Sequence, residues 1–484
     1  MRWNALVVLW LAATFAIGQE SGPPVPQEGA LRAQFRREGE RLHDACTTFN
    51  FSNGEECAIL LFTDHPLHIA AGSIAPQDGF GIGGAFVTSR NTTNWRMSWD
   101  VDAVVSTNLS WRTGGYMKMI HTPREKIGVV MPAVSQPGEA PGATPARKPR
   151  INLVHPYTVF NLYAQSTSLN RLNFFGLGND SALSGKSVFG MTEIIVGANV
   201  IKPVFEWPAT SKLNLALLGE VNGRFVNLRG NHAESAPSIE TLYTDATAPG
   251  LNHQPGFIQL GEGVRIKPVI GDYFQLNYMA KFQQFFAPSS SQNSFLRWTA
   301  DLDHTFFLYG YTQSAPKNTD GNGPDECGPL TAKCPPVSRS RNLNGSVGVR
   351  LLLSESITSG TSAVPFYFQP TLGGGDLNGA PALSSYQDYR FRAPNILLLQ
   401  EKFEHSIWGP LGVTFMADQG KVALTRGDIG FSHLKHSFGT GLTLRAGGFP
   451  MVFLMFAWGG NEGHHTIANM NTSLLGGSSR PTLY

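Results

Sequence analysis

The chain has 484 residues, among them 53 Gly, 31 Pro and 31 Phe; only 15% are charged, and the net charge is +2. That balance excludes a strongly basic nucleic-acid surface. A mean hydropathy of -0.11 excludes a bundle of membrane helices but not a membrane barrel, whose lumen-facing polar residues dilute every strand.

The one long apolar run, Ala5–Ile17, lies between Met1-Arg2-Trp3-Asn4 and Gly18-Gln19-Glu20. It is shorter than the roughly 18–20 residues a membrane helix needs. A basic tip, an apolar stretch and small residues at Ala16 and Gly18 predict a secretory signal peptide over residues 1–18, removed near Gly18. Residues 19–60 are expected to form a short periplasmic leader, in which Glu28–Cys46 makes one polar helix. About forty residues between the cleavage site and the first strand leave no room for a folded periplasmic domain of ordinary size.

Cys46 and Cys57 form one local pair and Cys327 and Cys334 another. Export permits disulfides, and the spacings do not suit a four-cysteine zinc site. Structural disulfides are therefore expected, and no metal.

From Gly79 onward the text reads as strands and turns. In Lys212–Phe225, Leu213, Leu215, Leu217, Val221 and Phe225 alternate with Asn214, Glu220, Asn222 and Arg224. Glu262 sits on an otherwise apolar face. Tyr273–Gln283 alternates again, as does Phe295–Leu308, where Arg297, Thr299, Asp301 and Asp303 share the polar face. Arg341–Leu353 sets Leu343, Val347, Val349 and Leu351 against Asn342, Asn344, Ser346 and Arg350. Ser437–Ala446 follows the same rule, while Met451–Trp458 is apolar on both faces. Successive strand side chains point to opposite faces, so these segments have one greasy and one wet side.

Pro132–Arg150 and Thr312–Ser340 are long Pro/Gly-rich connectors, whereas Gly409-Pro410 is a tight turn; long loops are expected at one end and short turns at the other. Turn spacing gives about sixteen strands. A secreted sandwich or propeller would also alternate, but strand lengths near ten and aromatic residues on nearly every strand favour an all-β, transmembrane antiparallel barrel over residues 61–484. The last strand is expected near His465–Leu475, and Pro481 argues against an edge strand running on to Tyr484.

Leu372–Ala423 contains Gly373-Gly374-Gly375-Asp376, Tyr389-Arg390-Phe391-Arg392, Trp408 and Asp418-Gln419-Gly420. With Gly79-Phe80-Gly81-Ile82-Gly83 at the expected first strand and Phe174–Ser181 after the fourth, this block resembles the BamA/TamA superfamily of bacterial surface-antigen barrels. The resemblance implies a sixteen-stranded barrel in the bacterial outer membrane, with the segment 372–392 folded inward. It implies assembly or insertion of outer-membrane proteins, or polypeptide translocation, without ATP or any cofactor. The partners it implies are outer-membrane lipid, a periplasmic receptor or chaperone, and unfolded outer-membrane clients.

The inward-loop motif then comprises Leu383, Ser384, Ser385, Tyr386, Tyr389, Arg390, Phe391 and Arg392. Two positions depart from the family: its loop-tip Arg falls near Ser384, and the strand Glu that accepts it falls near Lys402, while Asp418 remains. An unpaired Asp in a poorly hydrated lumen is costly, so Lys402 is expected to supply the cation to Asp418, with Arg390 and Arg392 as rival donors.

His464-His465, with His433 and His436, reads as polar turn rather than metal site, and Asp301 with Asp303 as lumen wall rather than paired acids. No nucleophile elbow, Walker loop or dinucleotide fingerprint is present in the sequence. Catalytic residues are not expected, and the chain reads as a non-enzyme. Two alternatives stand beside assembly: a passive pore or small-solute channel gated by the inward loop, and a secreted soluble β-enzyme.

Overall fold

The computed structural model describes residues 67–122, 157–206, 213–270, 274–315, 339–408 and 411–470, apart from 233, 361, 377–379, 447–448, 461 and 463, together with Arg36, Glu40 and His43. The chain divides into two units, Met1–Leu61 and Phe62–Tyr484. In the first, Arg36, Glu40 and His43 are helical, and Arg36 pairs with Glu40 one turn on at 3.1 Å. The signal segment, Cys46, Cys57, Cys327 and Cys334 lie outside the described residues.

The second unit is one sixteen-stranded antiparallel sheet in sequence order. It begins with β1 (Leu67–Ser73), β2 (Phe80–Asn91), β3 (Trp95–Ser106) and β4 (Trp111–His121). Longer strands follow: β5 (Val159–Phe174), β6 (Ser187–Glu206), β7 (Leu213–Gly230), β8 (Phe257–Ile270), β9 (Phe274–Phe286), β10 (Phe295–Ala315) and β11 (Arg339–Ile357). Two short strands, β12 (Thr371–Leu372) and β13 (Phe391–Arg392), pair with each other apart from the main sheet. The wall resumes with β14 (Asn395–Trp408), β15 (Leu411–Ala423), β16 (Lys435–Ala446), β17 (Phe449–Trp458) and β18 (His464–Met470).

The alternation decides which way the wall faces. In β7, Leu217, Val221 and Phe225 are about half exposed on the outer face, while Leu218 and Asn222 are buried within. Ile82, Val101, Val105, Ile194, Val196, Leu260, Phe306, Phe438 and Leu454 stand outward in the same way. At ~1.5–3 kcal/mol for each fully exposed large apolar side chain, a dozen half-exposed ones would forfeit on the order of 10–20 kcal/mol in water. That is comparable with the whole ~5–15 kcal/mol stability of an ordinary domain. Hydrocarbon outside removes this cost, and backbone groups between paired strands of such a wall satisfy one another.

The edge strands β1 and β18 have seven residues each, and they lie next to one another. Among the described residues no ladder joins them.

Two expectations are corrected. Gly79–Gly83 opens the second strand, not the first, and Phe174–Ser181 follows the fifth, because Leu67–Ser73 is a strand of its own paired along its length with β2. The long connectors also share one end with the tight turn at Gly409-Pro410. The β4–β5, β10–β11 and β14–β15 connections are separated by even numbers of wall strands, and an antiparallel meander returns to the same end after every second strand. The segment between β11 and β14 lies at the opposite end.

Candidate functional site: an inward segment anchored to the wall

The segment from Thr358 to Pro394 enters the barrel between β11 and β14. Pro365 starts a single 3-10 turn that presents Phe366, Tyr367 and Phe368, all buried. Phe366 packs on Phe174 and Phe189 with centroids at 5.0 and 5.3 Å, and Phe368 packs edge-on to Phe257 at 4.9 Å. This aromatic cluster fixes one half of the segment against β5–β10.

The other half is held by polar contacts. Leu383 N donates to Asp418 Oδ2 at 2.9 Å, and the Ser384 N–H also reaches that carboxylate. Ser385 N donates to Ser437 Oγ at 2.8 Å, and the Tyr386 carbonyl meets His465 Nδ1 at 3.2 Å. Tyr389 OH donates to Pro76 O at 3.1 Å. Arg390 Nε lies 2.9 and 2.8 Å from the two Glu462 oxygens, and its Nη groups reach Ser181 Oγ and O at 2.8 and 2.7 Å. Tyr386 packs edge-on to Phe391 at 5.1 Å. Arg392, 1% exposed, donates to Phe366 O at 2.8 Å and closes the segment on itself. Leu383 and Tyr389 hold positive φ, 52° and 61°, a backbone state that costs non-glycine residues ~1–3 kcal/mol. Both positions coincide with anchors.

The inward-loop residues are therefore gathered at one place, but the expected cation is different. Lys402 faces Met416 across the ladder and pairs with Glu404 on its own strand, whereas Asp418 faces Gln400. Gln400 Nε2 donates to Asp418 Oδ1 at 3.2 Å and to Pro381 O at 3.0 Å. Its Oε1 accepts from Arg350 Nη1 at 3.1 Å, and Arg350 grips Asp301 with two bonds of 2.8 and 2.9 Å. The cation serving Asp418 is thus Arg350, acting through Gln400. Arg390 and Arg392, the rival donors, are engaged by Glu462 and Phe366.

Counting by twos along β11 and β14 marks Arg350 and Gln400 as inward, so sequence carried that signal. Glu462 and Ser181 lie in connections, where no periodicity singles them out. Asp301 and Asp303 do line the lumen, Asp301 being the partner of Arg350. The His464 ring lies tilted against Phe456 at 5.7 Å, and no three metal-binding side chains cluster among the described residues.

Beside the segment remains a lumen cavity of about 370 Å³, lined by Glu193, Glu220, Arg224, Lys281, Arg297, Arg350, Tyr367 and Asp376 among others. Its charges are largely matched: Arg224 with Glu193 at 3.0 Å, and Lys281 with Glu220 at 3.5 Å. At the segment's end of the barrel, the β1–β2 hairpin carries Asp78, fully buried. A register shift in β5 between Leu169 and Leu172 frees backbone donors, and Asn170 N and Arg171 N donate to Asp78 at 2.9 and 3.1 Å. Burial pushes the Asp78 carboxyl up to about 6, although these bonds and one from Ser110 pull the other way.

Neither a family model nor a curated protein sequence matches the chain. Among solved structures it is similar to CdiB from Acinetobacter baumannii, with 11% identity, TM-score 0.44, and 84% of this chain and 59% of that one covered. CdiB from Escherichia coli gives 10% identity, TM-score 0.47 and coverages of 84% and 62%. BamA from Haemophilus ducreyi lacking POTRA domains 1-3 gives 8%, 0.43, 84% and 70%. The chain spans about three fifths of the length of the two CdiB chains it matches.

Proposed function

We propose that this chain is an exported barrel of the bacterial outer membrane, of the surface-antigen type. Its work is the assembly or insertion of outer-membrane proteins, or the passage of polypeptides across that membrane. The observation that carries this reading is the edge: two seven-residue strands, β1 and β18, lie side by side, and no ladder joins them among the described residues. An edge with free N–H and C=O groups is a template for an incoming strand. Its working partners are outer-membrane lipid, an unfolded client and a periplasmic receptor or chaperone that delivers it. No ATP or cofactor is needed, because the client's own pairing and lipid burial drive insertion.

Lipid vesicles containing the purified protein should speed the folding of a small test barrel severalfold over empty vesicles. Equal rates would remove the insertase reading. The lumen cavity of about 370 Å³ beside the inward segment favours a second reading, a solute pore closed by that segment. That reading is chosen if planar bilayers conduct when 372–392 is deleted while vesicles give no acceleration.

A further inference from the structure

Tyr389 and Arg390 are neighbours in the chain, yet they hold opposite edges of the sheet. Tyr389 OH donates to Pro76 O in the β1–β2 hairpin. Arg390 grips Glu462, in the β17–β18 hairpin, with three contacts of 2.7–2.9 Å. Between these two contacts Tyr389 holds a φ of 61°. Such strain persists only where the surroundings impose it. Both donors are buried, Tyr389 at 1% and Arg390 at 3% exposure, while the Glu462 side chain is 17% exposed. The edges themselves contribute no described ladder at this seam.

We infer that the inward segment is the clasp of the barrel: Tyr389 and Arg390 close the β1/β18 seam at this end. Displacement of the segment and parting of the edges are then one transition, with Arg390–Glu462 as its latch. The edges cannot part while Arg390 holds Glu462 and Tyr389 holds Pro76. The segment cannot leave without releasing both hairpins. This inference goes beyond the proposed function, since it holds for an insertase and for a pore alike.

The test reads both motions in the full-length protein. Photoreactive benzoylphenylalanine at Thr466, on the outer face of β18, reports the proximity of β1 by intramolecular crosslinking; conductance in planar bilayers reports the segment. Glu462→Gln should raise the open fraction about tenfold, the equivalent of one charge-assisted hydrogen bond, and lower crosslinking to β1 in parallel. Glu234→Gln, which breaks a surface pair with Arg171 at 3.0 Å, should change neither. Folding is checked by the gel shift of the unheated barrel. If Glu462→Gln does not fold, Tyr389→Phe, which removes one hydroxyl, takes its place with the same expectation. A change in either readout without the other, or in neither, in a folded variant overturns the clasp.

Discussion

Asp418 and Gln400 face each other across the β14–β15 ladder, and the amide of one is hydrogen-bonded to the carboxylate of the other at 3.2 Å. That pair joins the inward segment to the wall, because Asp418 also takes the Leu383 N–H. Asp418→Ala leaves the buried Leu383 N without its acceptor and Gln400 Nε2 with Pro381 O alone, at a cost of ~1–3 kcal/mol. The temperature at which the folded gel band is lost should fall clearly. Lys402→Ala should move it little, since its pairing with Glu404 is part-exposed and such pairs contribute at most ~1 kcal/mol.

Arg350 holds Asp301 through two parallel bonds and reaches Gln400 with a third. Lys cannot reproduce that fork. Arg350→Lys should lose ~1–2 kcal/mol and loosen the segment, while Arg350→Ala leaves Asp301 uncompensated and costs more. Thermal melts of the two variants, compared with the wild type, check the order.

Asp78 gives a pH signature. Its folded carboxyl titrates at about 6 against 3.8 for the free group, so the folded state binds the proton more tightly than the unfolded state. Stability from this group is greatest below about pH 4, declines as pH rises to about 6, and is level above that; the full swing is ~3 kcal/mol at most. Asp78→Asn should abolish the decline. Denaturation midpoints of both proteins at pH 4.5 and 7 measure the difference.

Gly374 has φ of +62°, and a Cβ there would stand 2.0 Å from Asp388 Oδ1 and 2.8 Å from Asp388 Cα. Gly374→Ala should expel the segment from its seat while the wall stays folded. Limited proteolysis would then cut within 372–392 in the variant and spare that region in the parent.

Val221, half exposed on the outer face of β7, tests the lipid side. Val221→Arg should cost ~2–4 kcal/mol if it lies near the bilayer centre. Unfolding from lipid vesicles measures the cost; a neutral result would mean water touches that face.

Much of the wall was legible. In β7 the contrast between Val221 or Phe225 and Asn222 or Arg224 fixes both strand and facing, because period two leaves only two choices. β1 was missed because Ala70, Ala71 and Gly72 give its middle no contrast between faces. The ends of the connectors were misassigned because loop length says nothing about which end a loop occupies; only the parity of the strand count does. Lys402 stands two places of register from the position that faces Asp418: Met416 is opposite it, and ladder offset is set by pairing, which a single strand's text does not contain.

One consequence of strand length concerns the far rim. β9 accompanies β10 only as far as Phe306, and β14 accompanies β11 only from Gly345. Beyond those points Tyr309–Ala315 and Arg339–Asn344 pair with each other, and no third strand joins their ladder among the described residues. At ~3.3 Å per residue, this two-stranded extension of the wall is about 20 Å long, on the side away from the inward segment. Its margins offer backbone donors and acceptors to whatever extended chain arrives there first.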